Sequence, residues 1–227
     1  MRAGVRRVME PEEYAGLTDE ELCEIINREL AVDEAVVNGE YPHERQAEFL
    51  ERALYVCPDC GLSVLCSEKD IIECTRCGKK VRHLPTKELV GVGCEIPFRF
   101  VSDWYEYQCN FVRGLDLLPY MTEPMYKDSV EISRVILYKK KSIVCKNAEI
   151  SLFGDKIVAS GDGYEREFGF ADISAVTVLG KNKLNLYVGD EVYQFRGDAR
   201  FCALKYVNIF YHHKSAGKGE ENEFLGL

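Results

Sequence analysis

The stretch C57-P-D-C-G-L-S-V-L-C-S-E-K-D-I-I-E-C-T-R-C-G78 decides how this chain is read. It holds five of the ten cysteines. Cys57-x-x-Cys60 and Cys74-x-x-Cys77 are two pairs at the spacing of a zinc ribbon, in which four thiolates form a tetrahedron around one metal. Gly61 and Gly78 follow the two pairs, and a knuckle needs a tight turn that only glycine makes without steric cost. Between the pairs, LSVLCS and IIEC flank Glu68-Lys69-Asp70 and predict a short hairpin. Cys66 falls on its first strand, where an extended residue does not complete a knuckle, so Cys57, Cys60, Cys74 and Cys77 are the expected ligands. His83 lies beyond the second knuckle and is outside the set. Four protein thiolates leave no position for water or substrate, so the metal, one Zn2+ per chain, is expected to be structural. An iron site of the rubredoxin kind uses the same ligand set and stays open at this point.

Outward from the ribbon, which spans about residues 55–94, the chain divides further. Residues 1–54 are acidic, with 14 Asp/Glu against 6 Lys/Arg, within a chain of net charge −9. Thr18-Asp19-Glu20-Glu21 is a capping box. Leu22, Ile25, Ile26 and Leu30 recur at helical steps after it, with Glu20, Glu24 and Arg28 on the water side. Asn38-Gly39 ends that segment, and PHERQAEFLERALYV predicts a second helix with Phe49, Leu50, Ala53 and Leu54 as its apolar stripe. Residues 95–127 carry one more amphipathic helix, SDWYEYQCNFVRGLDLL, with Trp104 as a packing anchor, and a linker containing Pro119 and Pro124.

From about 128 to 214 the period becomes strand-like. Turn signals recur at Gly154-Asp155, Gly161-Asp162-Gly163, Gly180-Lys181-Asn182 and Gly189-Asp190. Leu184, Leu186 and Val188 alternate before Gly189-Asp190, a two-residue hairpin loop. Asp198 is placed to cap a final helix, ARFCALKYVNIFYHH, whose apolar residues are Phe201, Leu204, Val207, Phe210 and Tyr211. The expected fold class is α+β: an N-terminal helical pair, a four-cysteine ribbon, then a β-meander small barrel of pleckstrin-homology-like type closed by a C-terminal helix. Residues 215–227 read as a polar, frayed tail.

No catalytic set emerges. The four histidines are His43, His83, His212 and His213, none with a persuasive partner, and His212-His213 suits a helix C-terminus. There is no Gly-rich phosphate loop and no G-x-S-x-G elbow. Cys23, Cys94, Cys109, Cys145 and Cys202 read as free, mostly buried thiols. With no signal peptide and no run of roughly 18 apolar residues, the expected location is cytoplasmic, peripheral to the inner membrane face if Lys139, Lys140 and Lys141 meet lipid headgroups. The acidic balance argues against a polyanion partner.

The run EEYAGLTDEELCEIINRELAVDEA, with EFLERALYVCPDCG, CTRCG and the late FRGDARFCALKYV, resembles the C-terminal extension of bacterial lysophospholipid acyltransferases, among them the 1-acylglycerol-3-phosphate acyltransferases. The resemblance implies an accessory module beside an acyltransferase catalytic domain, with VRRVMEPEEY at the hand-over. That domain's H-x-x-x-x-D and E-G-x-R motifs do not occur here: His43 and His83 are followed at the fifth position by Glu48 and Glu88. No catalytic residue is therefore carried over. Two competing readings are a stand-alone ribbon protein, binding nucleic acid through the basic edge Lys79, Lys80, Arg82 and Lys87 or binding another protein, and a small enzyme using Cys66.

Overall fold

The computed structural model describes residues 5, 7–31, 39–137 and 140–216, and the chain forms two compact units, residues 1–39 and 40–227. In the first, α1 (Pro11–Tyr14) precedes α2 (Asp19–Leu30). The capping box closes as expected. The Thr18 hydroxyl accepts from the Glu21 N–H at 3.2 Å, and the Glu21 carboxylate accepts from the Thr18 N–H at 2.8 Å.

The helix expected over PHERQAEFLERALYV does not form. Residues 44–49 are turns, and only Leu50–Arg52 makes a single 3-10 turn. The donors that an α-helix would direct to its own carbonyls go elsewhere: Ala47 N–H to Lys69 O at 2.8 Å and Phe49 N–H to the Ser67 hydroxyl at 2.8 Å. Phe49 itself sits at φ +74°. This strap is thereby hydrogen-bonded to the ribbon hairpin, and the two N-terminal helices are both in residues 11–30.

The ribbon comprises β1 (Val56–Cys57) paired with β2 (Gly61–Leu62), and a four-stranded antiparallel sheet in the order β3 (Leu65–Glu68), β4 (Ile71–Cys74), β5 (Lys80–His83), β6 (Leu89–Gly91). The expected hairpin is β3–β4, turning at Glu68-Lys69-Asp70. On β3, Leu65 and Ser67 point inward while Cys66 and Glu68 point out, the alternation of a half-buried strand. Leu54, Leu65, Ile72, Val81, Leu89 and Phe98 build a small core completed by Trp104 from α3 (Val101–Arg113). The Asp103 carboxylate caps α3 by accepting from the N–H groups of Arg99 and Phe100 at 3.0 and 2.8 Å.

The segment after α3 is docked, unlike the linker expected there. Leu117 is buried, the Gly154 N–H reaches Tyr120 O at 2.9 Å, and the Met125 N–H reaches Leu152 O at 2.8 Å. Seven antiparallel strands follow: β7 (Tyr126–Leu137), β8 (Lys140–Leu152), β9 (Lys156–Gly161), β10 (Tyr164–Gly169), β11 (Ile173–Val178), β12 (Lys183–Val188) and β13 (Glu191–Arg196). Their spatial order is β10-β9-β8-β7-β13-β12-β11. Two meanders, of four strands and three, are thus joined through the first strand and the last. Bulges between β7 and β8 add the local twist that lets such a sheet curl. All four expected turns fall between strands, and Gly189 at φ +56° supplies the conformation its two-residue loop requires.

The last helix, α4 (Leu204–Ala216), starts five residues later than expected. Asp198 forms a local turn instead, its carboxylate accepting from the Arg200 N–H at 2.7 Å. Phe201, Cys202 and Ala203 enter the core as non-helical chain, and α4 adds Tyr206, Ile209 and Phe210. The half-barrel, its strand order and the packed C-terminal helix are those of a pleckstrin-homology-like domain.

Candidate metal centre

The two knuckles bring the Cys57, Cys60, Cys74 and Cys77 sulfurs within 4.8 Å of one another. Cys57 and Cys74 are buried on strands β1 and β4, while Cys60 is half-buried and Cys77 exposed. The turns aim backbone donors at sulfur: the N–H groups of Asp59 and Cys60 at Cys57, and those of Cys77 and Arg76 at Cys74. In the metal-free thiols these environments differ in sign. Burial pushes Cys57 up to about 12. At Cys74 burial pushes the same way, but the Cys77 and Arg76 N–H groups, together with the Ser63 and Cys77 side chains, bring it down to about 7. Four soft sulfur donors with backbone N–H groups directed at them fit zinc.

Local sequence explains the shape. Gly61 takes φ +73°, and a Cβ there would meet the Phe111 ring at 2.9 Å. Behind Cys77, the Gly78 N–H returns to Cys74 O at 2.8 Å. Cations close the outer side: Lys79 pairs with Asp59 at 3.0 Å and donates to Glu95 O at 2.9 Å, and Arg76 donates to Cys60 O at 3.3 Å.

The strand that carries Cys57 is fastened to the rest of its unit. A single side-chain oxygen, Gln108 Oε1, accepts from both Tyr55 N–H at 2.7 Å and Val56 N–H at 3.2 Å, and Gln108 Nε2 donates to Ala53 O at 2.9 Å. The Trp104 indole donates to Val56 O at 2.8 Å and stacks on Phe98. From the β-domain, the Tyr126 hydroxyl donates to Tyr55 O at 2.9 Å and Asn208 Nδ2 donates to the Tyr55 hydroxyl at 2.7 Å. Arg200 pairs with the buried Glu51 and donates to Ser67 O at 2.8 Å. Ribbon and half-barrel therefore share one hydrogen-bonded seam.

The remaining candidates lie elsewhere. Cys66 is exposed on the outer side of β3, opposite Glu73, and is not among the clustered sulfurs. His83 Nδ1 bonds Gln46 O at 2.8 Å, and His212 Nε2 bonds Leu115 O at 2.8 Å; His213 packs edge-on against Phe170. Of the five scattered cysteines, Cys109, Cys145 and Cys202 are buried, Cys94 is half-buried and Cys23 is exposed. Three cations of the ribbon's basic edge are paired with acids, Lys79 with Asp59, Lys80 with Glu73 and Arg82 with Asp70. Lys139 falls outside the described residues; Lys140 and Lys141 are exposed at the start of β8. Sequence reasoning missed Gln108, because a lone glutamine on an amphipathic helix carries no signal of two backbone partners more than fifty residues away.

Fold and site together define a pleckstrin-homology-like β-domain joined to a four-cysteine ribbon. No family model matches the chain, and no curated protein matches it. Among solved structures, the N-terminal PH domain of human ARAP2 aligns with 44% of this chain and 90% of its own, at 14% identity and a TM-score of 0.34. Among the described residues no helix is long and apolar enough to cross a membrane.

Proposed function

We propose that this chain is a non-catalytic docking module in which Cys57, Cys60, Cys74 and Cys77 hold one structural Zn2+. The observation that carries the zinc assignment is the clustering of the four sulfurs within 4.8 Å. A fully thiolate-ligated zinc has no open position, so it supplies no Lewis-acid chemistry. Its contribution is to folding: a ribbon of about 40 residues buries little core, and structural zinc is worth roughly 10–16 kcal/mol in comparable small domains. The residues of the chain do the rest, since Gln108, Trp104 and Tyr126 fix the strand on which the first knuckle stands.

The finer reading is that the module serves a phospholipid-synthesising acyltransferase at the cytoplasmic membrane face, bracing the catalytic domain or meeting headgroups through Lys139, Lys140 and Lys141. Its support is the sequence resemblance of the helix-to-knuckle run. The purified chain is expected to carry one zinc and to transfer no acyl group to lysophosphatidate from coenzyme A or acyl-carrier donors. Turnover by the chain alone would refute the non-catalytic reading. Failure to bind an acyltransferase catalytic domain in a pull-down with purified components would refute the partner while leaving the zinc reading intact.

A further inference from the structure

Strand β7 has two neighbours over only part of its length. β13 pairs with it from Val135 back to Glu131, where Arg196 ends the ladder, while β8 continues alongside it to Tyr126. Beyond Arg196 the chain turns towards the β11–β12 loop instead: the Gly197 N–H reaches Asn182 O at 3.1 Å, and Asn182 Nδ2 donates to Gly197 O and Asp198 O at 2.7 and 3.0 Å. The turn requires glycine, because a Cβ on Gly197 would lie 2.3 Å from Phe201 Cβ. Over Tyr126–Val130 one edge of β7 is therefore open, and among the described residues no hydrogen bond reaches the main-chain groups on that edge.

A second open edge faces the first. β3 is an outer strand of the ribbon sheet. The Thr75 N–H bonds Val64 O at 3.0 Å, so by antiparallel alternation Cys66 and Glu68 turn their main-chain groups towards β4 while Leu65 and Ser67 turn theirs away. Arg200 Nη1 takes Ser67 O at 2.8 Å, whereas the outward N–H and C=O of Leu65 have no partner among the described residues. Between the two edges lies a cavity of about 480 Å3, with Val64, Leu65 and Cys66 on one wall and Lys127, Asp128 and Ser129 on the other. It adjoins a second cavity of about 590 Å3, which shares Ser129 and Asp198 with it and runs on to Val130 and Glu131. The groove thus follows β7 from Lys127 to Glu131, roughly 14 Å at about 3.4 Å per residue. Leu54, Tyr55 and Phe201 give it an apolar floor, and the charges there, Asp128 with Lys205 and Glu51 with Arg200, neutralise each other.

We infer that this groove takes an extended polypeptide segment of a partner protein, which adds to β7 as a strand where β13 leaves off. Free donors and acceptors on a strand edge are a template for another strand, and main-chain hydrogen bonds supply the affinity of such an addition. A compact ligand of the same volume would leave those groups unpaired, and an ionic ligand would find no excess charge on the floor. The groove lies between ribbon and half-barrel, apart from β10 and β11, the outer strands of the seven-stranded sheet. Such a segment gives the docking module its partner chemistry; it rests on the docking proposal alone and not on the acyltransferase or the lipid contact.

The test uses the full zinc-loaded chain and a phage-displayed random heptapeptide library, from which selected peptides are synthesised. Amide hydrogen exchange is followed at Leu65 and Lys127–Val130. A selected peptide is expected to slow exchange within this set at least about tenfold. Methylating every second amide nitrogen of the peptide, in each of the two registers, is expected in at least one register to weaken binding about tenfold, equivalent to about 1.4 kcal/mol, because the side chains stay while the ladder is lost. Cys66→Trp, which narrows the groove from an exposed position on its wall, is expected to weaken the same peptide with zinc content unchanged, and Val90→Trp, exposed on β6, to leave it unchanged. Failure to select any peptide, protection confined to β10 or β11, or binding that survives N-methylation in both registers or survives Cys66→Trp would overturn the inference. None of these results bears on zinc content or acyl transfer, which the metal analysis and the turnover assay decide separately.

Discussion

At the scale of the residue, five cysteines in one 22-residue stretch have two fates. Cys57 and Cys74 are buried at the base of the cluster, Cys60 and Cys77 close it from the solvent side, and Cys66 faces out from β3. Replacing a base cysteine removes a ligand and places a hydroxyl in a small apolar core. Cys57→Ser or Cys74→Ser is therefore expected to abolish stoichiometric zinc and to unfold the ribbon, whereas Cys66→Ser is expected to leave zinc content and melting temperature unchanged. Metal analysis and thermal denaturation of the three variants check this. The division was legible in the sequence because knuckle spacing is a local property: two C-x-x-C turns followed by Gly61 and Gly78 fix geometry within five residues each. The apposition of Leu65 and Lys127 across one groove was not legible, since it depends on where β13 leaves β7, which composition and spacing leave open.

At the scale of the element, helix α3 decides how the ribbon is attached. Its inner face carries Trp104 and Gln108, and the latter satisfies two buried N–H groups and one carbonyl at the approach to Cys57. Gln108→Leu keeps the bulk and leaves those groups unsatisfied at about 1–3 kcal/mol apiece. A loss of several kcal/mol is expected in urea denaturation of the zinc-loaded protein, and a loss below about 0.5 kcal/mol, the range of an ordinary surface substitution, would show that water replaces the side chain. The same physics explains the failed helix before it. The apolar residues Phe49, Leu50, Ala53 and Leu54 have helical spacing, but the strap's N–H groups find Lys69 O and the Ser67 hydroxyl on the ribbon hairpin, and tertiary hydrogen bonds override the local pattern. The late start of α4 has a similar cause, because Phe201, Cys202 and Ala203 are consumed by the core before the helix begins. The β-meander was read well, because its turns lie at Gly-Asp and Gly-Lys-Asn sequences whose chemistry is independent of context.

At the scale of the whole molecule, the larger unit behaves as ribbon and half-barrel sharing a seam of buried phenols. Tyr55 and Tyr126 at the seam, and Tyr206 bonded to Asp128 within the half-barrel, are all raised above the ordinary tyrosine value, in each case first by burial. Unfolding releases them to titrate near pH 10, so the unfolded state binds fewer protons than the folded state above that pH. Their contribution to stability is present below pH about 10 and is lost as the pH rises past it. Alkaline unfolding is expected to be cooperative, with the tyrosinate absorbance and the loss of far-ultraviolet circular dichroism rising together; tyrosinate formation that runs ahead of unfolding for all phenols would show the seam to be open to solvent. Metal removal acts on the same seam, because Tyr55 and Val56 lead directly into Cys57. Chelation is expected to loosen α3 as well as the knuckles, seen as a red shift of the single tryptophan, Trp104, which is buried and bonded to Val56 O.

Native mass spectrometry of the purified chain beside its Cys57→Ser and Cys66→Ser variants tests the four-thiolate zinc most directly. One zinc ion per chain is expected in the parent and in Cys66→Ser, and none in Cys57→Ser. A metal-free parent that is nonetheless folded, a bound iron, or zinc retained by Cys57→Ser would contradict it.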